Sequence, residues 1–420
     1  MRPLSPAPYL VLDPTDEYAR RMVEFLGRVG LSGVAVLTSP GRTGQWRHGG
    51  WQGRLAEHVA ASYEVAGEPI PEVAEQLARD FPEGFSGIVP WDEMSILYGA
   101  ELGERLNLGW NPAHVIERCR DKGVMKEHLR QHASVRINAG AVVHDAGEAM
   151  AFQERVGRWP IVVKPTGGAG SAHVTFATSR GELLRGCQEV LESGAGEVLL
   201  EEYVGGRELA VNGMVDRHGD FLITDVWLYD RRESHGVPNL YYETIKVDTT
   251  EPLFWELARY AAAVIEALEL VRAPVHMEVK VDENGPCLIE VGARLPGGNQ
   301  PMLASMLHGR SLFELAACHY LDELPLSTRD VSYERYDSLA ARIVSGIQTV
   351  ALPRVRALHG LREVEALPSF VGTGLLRRPG MPLAQTVDLR SKSFEVYLLH
   401  PDEEQVAHDA QAVRQLLRYE

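Results

Sequence analysis

The chain has 420 residues, enough for about three domains of roughly 150 residues each. Apolar residues make up 45% and charged residues 24% of the sequence, as in ordinary globular proteins. Its 58 acidic and 42 basic residues give a net charge of −16. A field of that sign opposes phosphate backbones and anionic membranes, so the composition disfavours a protein that binds nucleic acid or a membrane surface.

No apolar run approaches the ~18–20 residues of a membrane span. Residues 1–8 lead straight into a strand and lack the apolar stretch of a secretory signal peptide. The four cysteines are far apart and form no C-x-x-C motif, which is typical of buried thiols in a reducing compartment. We therefore expect a cytoplasmic protein with four free cysteines, Cys119, Cys187, Cys287 and Cys318.

Strands and helices alternate in the first part of the chain, which predicts a doubly wound parallel sheet. The sequence contains neither G-x-G-x-x-G nor a Gly-Lys pair, which excludes the dinucleotide fingerprint and the P-loop. The predicted elements are strand 9–12, helix 16–29 with Asp16 as its N-cap, strand 34–38, helix 70–80 and strand 87–90.

The rest of the sequence predicts three further segments. The first segment covers residues 1–114, and the further ones cover 115–204, 205–328 and 329–420. Residues 230–243 are polar without a regular pattern and are predicted as an irregular loop, and the last segment shows no catalytic constellation. The other predicted elements are helices 117–133, 146–156, 253–268 and 403–417, a helix from 179, and strands 139–144, 161–164, 174–177, 197–202, 208–215, 222–229, 275–281 and 287–291.

A strand that ends in a lysine runs into a glycine-rich loop. Glycines let backbone N–H groups converge on an anion, and the lysine could neutralise the same phosphate. An ordinary glycine-rich turn beside a surface lysine explains the pattern equally well. The stretch reads Ile161-Val-Val-Lys164-Pro-Thr-Gly167-Gly168-Ala-Gly170-Ser171.

The run Asp-Glu-Asn-Gly-Pro between two later strands predicts a β-hairpin. A three-residue loop would place Asp282 opposite Pro286 and Glu278 opposite Glu290. Two facing carboxylates repel each other unless a divalent cation lies between them, so this register indicates a metal site. A two-residue Asn-Gly turn would shift the register and leave both glutamates as surface charges.

Two further stretches carry candidate binding residues. Arg294 lies four residues after Glu290 and could hold phosphoryl oxygens, or it could form a salt bridge with one of the two glutamates. The acidic stretch Glu201-Glu-Tyr203-Val-Gly-Gly-Arg-Glu208 could bind an adenine through its backbone and ribose hydroxyls through Glu208. A solvated acidic turn is the alternative for this stretch.

Taken in order, these motifs resemble the ATP-grasp superfamily over about residues 5–325. The form Glu-x-Gly-x-Arg-x-x-Gly is similar to the branch that contains L-amino-acid (dipeptide) ligases, and His400-Pro-Asp-Glu-Glu resembles the C-terminal domain of biotin-carboxylase-like members. The resemblance implies an α/β fold with α+β lobes, in which the ATP-grasp core stands between an N-terminal doubly wound parallel-sheet domain and a small C-terminal domain. The matched series is Asp121-Lys122, Ile161-Val-Val-Lys164, Glu201-Glu-Tyr-Val with Glu208, Glu278, and Glu290-x-x-x-Arg294.

The resemblance implies a role for each matched residue. Glu278 and Glu290 would ligate Mg²⁺ (or Mn²⁺), and Arg294 and Lys164 would stabilise the transferred phosphoryl group. Lys122 and Lys164 would bind the phosphates, the loop Gly167–Ser171 would cover them, Glu201, Tyr203 and Val204 would hold adenine, and Glu208 would bind the ribose. The residues implied to bind ATP are therefore Lys122, Lys164, Gly167, Gly168, Gly170, Ser171, Glu201, Tyr203, Val204 and Glu208.

The resemblance implies an ATP-dependent carboxylate–amine ligase. The acid would attack the γ-phosphoryl group to give an acyl phosphate and ADP, and the amine would then displace phosphate. The expected substrates are small molecules, amino acids or similar acids and amines, and a homodimer is expected. Two alternatives remain: other ATP-grasp chemistry, such as carboxylation or formyl transfer, and a non-catalytic nucleotide-binding regulator.

The family pattern also leaves three points open. Many members carry Asn two residues after the second metal glutamate, and Gly292 at this position leaves open whether one or two cations bind. His235 and Glu243, in the predicted loop, are candidates for holding a substrate amino group, or they belong to a solvated loop. Gly297 and Gly298 would border the second substrate, where Gly298 leaves room for bulk.

Overall fold

The computed structural model describes residues 7–132, 135–168, 173–194, 197–321, 331–374 and 377–420. The elements of the first layer are β1 (Tyr9–Leu12), α1 (Glu17–Arg28), β2 (Gly33–Leu37), α2 (Pro40–His48), α3 (Trp51–Arg54), β3 (Val59–Glu64), α4 (Ile70–Asp80), β4 (Ile88–Val89), α5 (Ile96–Arg105), α6 (Ala113–Arg120) and α7 (Lys122–Leu129). The strands form a parallel sheet in the order β3-β2-β1-β4, which confirms the predicted parallel layer. Asp16 caps α1 as predicted, because its carboxylate accepts from the N–H groups of Tyr18 and Ala19.

The single helix predicted over 117–133 is wrong, since the structure has two helices, α6 and α7, with a break at Asp121. Asp121 has extended backbone angles, and its carboxylate accepts from the N–H groups of Gly123 and Val124 at 2.8 and 2.9 Å. An N-cap of this kind competes with continuation of the preceding helix. The break places Lys122 at the first position of α7, where its N–H bonds the carbonyl of Thr166 at 3.0 Å.

The second layer is an antiparallel sheet with its own small core. Its elements are β5 (Gly140–Val143), α8 (Ala146–Val156), β6 (Ile161–Pro165), β7 (Thr175–Ala177), α9 (Arg180–Ser193) and β8 (Val198–Glu202). The strand order is β5-β8-β6-β7. Asp145 and Ser179 cap α8 and α9 through their side chains, as expected of Asp and Ser ahead of an apolar run.

The third layer is a long antiparallel sheet. The remaining elements are β9 (Arg207–Val215), β10 (Phe221–Ser234), β11 (Val237–Lys246), α10 (Pro252–Leu268), β12 (Ala273–Asp282), β13 (Gly285–Gly292), α11 (Gln300–His308), α12 (Leu312–Tyr320), α13 (Tyr333–Asp337), β14 (Ala340–Ser345), β15 (Leu358–His359), α14 (Leu361–Glu365), β16 (Phe370–Gly374), β17 (Glu395–His400), α15 (Glu403–Leu416) and β18 (Arg418–Tyr419). Eight strands pair in the order β13-β12-β9-β10-β11-β14-β17-β16, and β15 pairs with β18. The predicted third and fourth segments therefore share one sheet, and the boundary between them stays a prediction.

The irregular loop predicted over 230–243 is wrong, since these residues form the outer part of the β10–β11 hairpin. The register shifts between Asp230 and Arg231 and again between Arg232 and Ser234. These β-bulges break the two-residue alternation from which a strand is recognised in sequence. The arginines also pack on tyrosines of the opposite strand: the Arg231 guanidinium lies 3.9 Å from the centre of the Tyr241 ring.

Most of the cysteines lie in the interior of the structure. Cys119, Cys187 and Cys287 are free thiols, and Cys119, Cys287 and Cys318 are buried. Within the described ranges, no helix is both long enough and apolar enough to cross a membrane.

Asp121→Ala should destabilise the protein by about 0.5–2 kcal/mol, because two N–H groups at the start of α7 lose their acceptor. Urea denaturation measures the loss. Asp145→Ala, at the start of α8, is the matched control for loss of a cap away from α7 and should cost a similar amount. No change in the Asp121 variant would contradict the capping account of the helix break.

Candidate active site

A cleft of about 860 Å³ lies between the second and third layers. This volume is near the upper end of the ~300–1,000 Å³ that is usual for small-molecule sites. One wall comes from β6, β7 and β8, and the other comes from β9, β12 and β13. Of the residues predicted to bind ATP, metal or substrate, the cleft is lined by Lys122, Lys164, Gly167, Gly168, Glu201, Tyr203, Val204, Glu208, Glu278, Glu290, Arg294, Gly297 and Gly298.

Glu278 and Glu290 lie directly opposite each other on β12 and β13, as predicted. The predicted three-residue turn is wrong, because Asp282 pairs with Gly285 across a two-residue turn. This tighter turn would place Glu278 opposite Ile289. A β-bulge at Ile289 shifts the register and restores the facing carboxylates.

The chemistry of the turn explains its length. The Asp282 carboxylate accepts from the N–H of Asn284 at 2.8 Å, and Gly285 takes a positive φ of 89°. One Arg136 nitrogen bonds both the Asp282 carboxylate, at 2.8 Å, and the Gly285 carbonyl, at 2.6 Å. Because Arg136 lies far away in sequence, the hairpin alone does not reveal this bond.

The two facing glutamates differ in electrostatic environment. Burial first, and then the negative charge of Glu290, raises the pKa of Glu278. Burial also opposes ionisation of Glu290, but the ammonium groups of Lys122 and Lys164 outweigh it and lower the pKa of Glu290. The Lys122 Nζ lies 3.0 Å from the Glu290 Oε2 and donates to the Gly168 carbonyl at 3.1 Å. Lys122 therefore connects the glycine-rich loop to the carboxylate pair.

The carboxylate pair fits a divalent cation that is shared with a ligand. Among the described residues, no three His, Cys, Asp or Glu side chains converge into a complete metal site. Glu278 and Glu290 offer two hard oxygen ligands from a rigid hairpin. Mg²⁺ typically takes one or two carboxylates and completes its shell with waters and substrate phosphates, so this donor set suits it.

Lys164 belongs to a buried cluster that its sequence motif reveals only in part. The Glu201 carboxylate bridges Lys164, at 2.8 Å, and Lys126, at 3.1 Å. Lys126 also donates to the side chain of Asn138. Burial opposes the charge on Glu201, but the two ammonium groups lower its pKa, while burial lowers the pKa of Lys164. The Glu201 side chain thus positions a lysine, whereas the resemblance implied a contact with adenine.

An apolar slot adjoins this cluster. Val162, Phe176 and Ile289 line it from both sheets, and the Phe176 and Tyr203 rings meet edge to face at 6.0 Å. A flat heteroaromatic ring suits such a slot between apolar side chains. Gly168 has a positive φ of 134°, which favours glycine. The predicted loop residues Gly170 and Ser171 lie outside the described residues.

Two other predicted binding residues, Glu208 and Arg294, form ion pairs in the structure. Glu208 pairs with Arg231 and lies 3.6 Å from the Lys280 Nζ. Arg294 pairs with Glu93, so the alternative of a salt bridge to Glu278 or Glu290 is wrong. Burial opposes the charge on Arg294, but Glu93 outweighs it and raises the pKa of the guanidinium.

The structure places His235 and Glu243 apart from the residues that line the cleft. His235 lies in the β10–β11 turn, where its Nε2 is 2.8 Å from the Thr386 carbonyl. Glu243 bonds Arg342 at 3.0 Å and Arg414 at 3.2 Å. Both side chains thus join the hairpin to neighbouring elements, and no contact with a substrate follows from their position.

Several residues of the cleft were missed because their partners are distant in sequence. Tyr18, Lys392 and Glu395, which line the cleft, and Glu93, which pairs with Arg294, come from segments in which no motif was recognised. His276 had a local signal, since it lies two residues before Glu278 and therefore on the same face of the strand. Burial and the nearby Arg294 lower the pKa of His276 to about 3, so this imidazole is neutral.

Comparison with known proteins identifies the central part of the chain. Residues 157–301 match the sequence model of the ATP-grasp domain. The chain is 28% identical over 242 residues to dapdiamide A synthase of Enterobacter agglomerans, a match that covers 54% of this chain and 56% of that relative. The alignment thus spans little more than half the length of this curated relative.

Two solved structures share the fold across nearly the whole chain. The L-amino acid ligase of Bacillus licheniformis has a TM-score of 0.74 at 18% identity, with 98% of both chains covered. The biotin carboxylase domain of the Hydrogenobacter thermophilus 2-oxoglutarate carboxylase, solved with MgADP and bicarbonate, has a TM-score of 0.68 at 16% identity, with 99% of this chain and 91% of that chain covered. The chain therefore has the ATP-grasp fold that its motifs implied.

In the cation-free protein, Glu278→Gln should stabilise the fold increasingly as the pH rises. The folded-state pKa of Glu278 lies above its ordinary value of 4.5, so the wild type loses stability from that pH upward until Glu278 is ionised. Glutamine does not titrate. Urea denaturation in EDTA between about pH 5 and pH 9 measures the difference between the two proteins.

The control for this series is Glu283→Gln, an exposed position in the turn of the same hairpin. A difference between Glu278→Gln and wild type that stays constant with pH would contradict the account of the buried pair.

Proposed function

We propose that this chain, whose residues 157–301 match an ATP-grasp domain, is an ATP-dependent carboxylate–amine ligase that forms an amide or peptide bond. The observation that carries the proposal is the placement of the facing Glu278 and Glu290 in one cleft with Lys122, Lys164 and Arg294. Dapdiamide A synthase and an L-amino acid ligase, to which the chain is similar, support amide-bond formation over other ATP-grasp chemistry.

ATP would lie along the cleft with its adenine in the apolar slot beside Phe176 and Tyr203. Lys122 and Lys164, held by Glu290 and Glu201, would neutralise phosphate oxygens. Glu278 and Glu290 would hold Mg²⁺ (or Mn²⁺), which when bound offsets negative charge on the β- and γ-phosphates. Phosphate oxygens and water would complete the cation's shell, so Gly292 need not supply a ligand.

The reaction would proceed in two steps. A carboxylate oxygen of the acid bonds to the γ-phosphorus while the bond from that phosphorus to ADP breaks, which gives an acyl phosphate. The amine nitrogen then bonds to the acyl carbon, and phosphate leaves with the electrons of the carbon–oxygen bond and takes up the proton that the amine loses. Arg294 would stabilise the charge on the transferring oxygens through its guanidinium, which is oriented by Glu93.

The experiment that tests this proposal incubates the pure protein with Mg²⁺, ATP and pooled amino acids. Chromatography and mass spectrometry then read the nucleotide product and any condensation mass. ADP with a dehydrated adduct is the expected result. AMP with pyrophosphate would contradict the acyl-phosphate route, and consumption of bicarbonate or formate would point to the alternative chemistries. The homodimer and the cytoplasmic location stay predictions.

Glu290→Ala should reduce ADP formation by at least about 10³-fold, because the cation loses one of two carboxylate ligands and Lys122 loses its partner. The rate of ADP release measures the loss, and circular dichroism checks the fold. Glu283→Ala, in the turn of the same hairpin, should keep the wild-type rate. Near-normal turnover of Glu290→Ala would rule out this pair as the cation site.

Gly298→Trp should narrow the range of amines accepted, because Gly298 lines the cleft and an added side chain would occupy it. The φ of Gly298 is 70°, so any side chain strains the backbone there, and Gly298→Ala controls for that strain. Relative kcat/KM values for small and bulky amines measure selectivity. Equal selectivity in the Trp and Ala variants would remove Gly298 from the substrate pocket.

A further inference from the structure

The end of the cleft away from the apolar slot is closed by the C-terminal part of the chain. Lys392 and Glu395, just before and at the start of β17, line it together with Tyr18, Tyr241 and Asn299. The proposed ATP and cation roles use none of these five residues. Their position beyond Arg294 leaves this chamber to the second substrate.

Lys392 and Glu395 form an ion pair whose side chains are only 7% and 8% exposed. An ammonium carries three N–H donors, and among the described residues Glu395 is the only hydrogen-bonding partner of the Lys392 Nζ. The Tyr241 ring, with its centre 5.8 Å from the Nζ, adds a weak cation–π contact. Lys392 therefore faces the cleft as a buried cation with donors to spare.

Glu395 lies on the side of this pair that is nearer the reacting centre. Its Oε2 would be 4.0 Å from a Cβ built on Gly298, which follows Arg294 by four residues. Its Oε2 also accepts from the Tyr397 hydroxyl at 2.9 Å, and that hydroxyl accepts from the Asn299 amide at 2.6 Å. The carboxylate is therefore held rigidly beside the loop that carries Arg294.

We propose that Lys392 and Glu395 form the receptor for the amine substrate and that this substrate is a zwitterionic α-amino acid. Lys392 binds its carboxylate, and Glu395 binds its ammonium group on the side that faces Arg294. The assignment rests on the proposed ligase function and deepens it, because it names the class of amine and gives the C-terminal segment a role.

The charges of the cleft favour this assignment over other occupants. The carboxylate of an amino acid that reacts through its amine stays ionised, and it needs a cation once it is buried. Each cation near the proposed reacting centre has a carboxylate partner: Lys122 binds Glu290, Lys164 binds Glu201, and Arg294 binds Glu93. Lys392 differs from them because the substrate's ammonium group would take up its partner, Glu395, and leave Lys392 free to bind the substrate's carboxylate. An alkylammonium ion that bound Glu395 would offer Lys392 no anion in exchange. A neutral amide that displaced Glu395 would likewise leave the Lys392 ammonium without a counter-charge.

The test removes both charges at once, because removing one would leave its partner buried and unpaired. Lys392→Met/Glu395→Gln is compared with the control Lys246→Met/Asp248→Asn, which removes a buried lysine and its partly exposed carboxylate partner outside the cleft lining. Each protein receives an amino acid and its carboxamide as competing amines. We measure relative kcat/KM, the KM for ATP, and binding of the amino acid by calorimetry in the presence of Mg²⁺ and a non-hydrolysable ATP analogue.

In the wild type and the control, kcat/KM for the amino acid should exceed that for its carboxamide by on the order of 10- to 100-fold. This ratio corresponds to the free energy of a hydrogen bond to a charged group. The Lys392/Glu395 variant should lose that preference and the calorimetric binding while its KM for ATP stays unchanged. Amide formation with the preference intact in this variant would overturn the assignment and leave the ligase function standing. If amino-acid binding depends on the pair but no amide forms, the receptor stands and the proposed reaction fails.

Discussion

The structure depends on a repulsion that is built into its centre: two glutamates face each other across a hairpin in a largely buried cleft. Like charges in that position destabilise a sheet, and the rest of the site offsets the effect. Lys122 binds Glu290, while burial and the charge of Glu290 raise the pKa of Glu278. A site of this kind gains most from a ligand that brings positive charge with it, as a divalent cation complexed to a nucleotide does.

The same balance of charges extends through the cleft. Each cation near the reacting centre is held by a carboxylate from a different element: Lys164 by Glu201, Arg294 by Glu93 and Arg231 by Glu208. Such pairs favour the ionised form of the cations against the effect of burial and orient them in the site. In the proposed reaction these side chains would need little reorganisation to meet phosphates, which is how a preorganised site stabilises developing charge.

Local patterns predicted most elements, and the failures have physical causes. Helix Ile70–Asp80 and helix Ala146–Val156 agree with the prediction residue by residue, because the apolar period is regular and Pro69 or Asp145 stands just before the first turn. The prediction of one helix over 117–133 failed because Asp121 caps a new helix although the apolar period continues without a break. The outer part of the β10–β11 hairpin was not predicted as strand because its bulges break the alternation of polar and apolar side chains.

The site was predicted where motifs are local and missed where they are not. The facing glutamates were found although the turn was wrong, since the bulge at Ile289 compensated for a turn one residue shorter. No sequence pattern connects Glu93 with Arg294, or Lys392 with the cleft, because tertiary packing alone brings them together. His276 could have been found, since its two-residue spacing from Glu278 places both on one face of β12.

The most direct test of the account follows oxygen from the acid. The acid identified in the condensation assay is labelled with ¹⁸O in its carboxylate and turned over with ATP and the amine. The account predicts that one labelled oxygen appears in the released inorganic phosphate and that the nucleotide product is ADP, since the carboxylate attacks the γ-phosphorus. Label in AMP, or unlabelled phosphate beside the amide product, would contradict it.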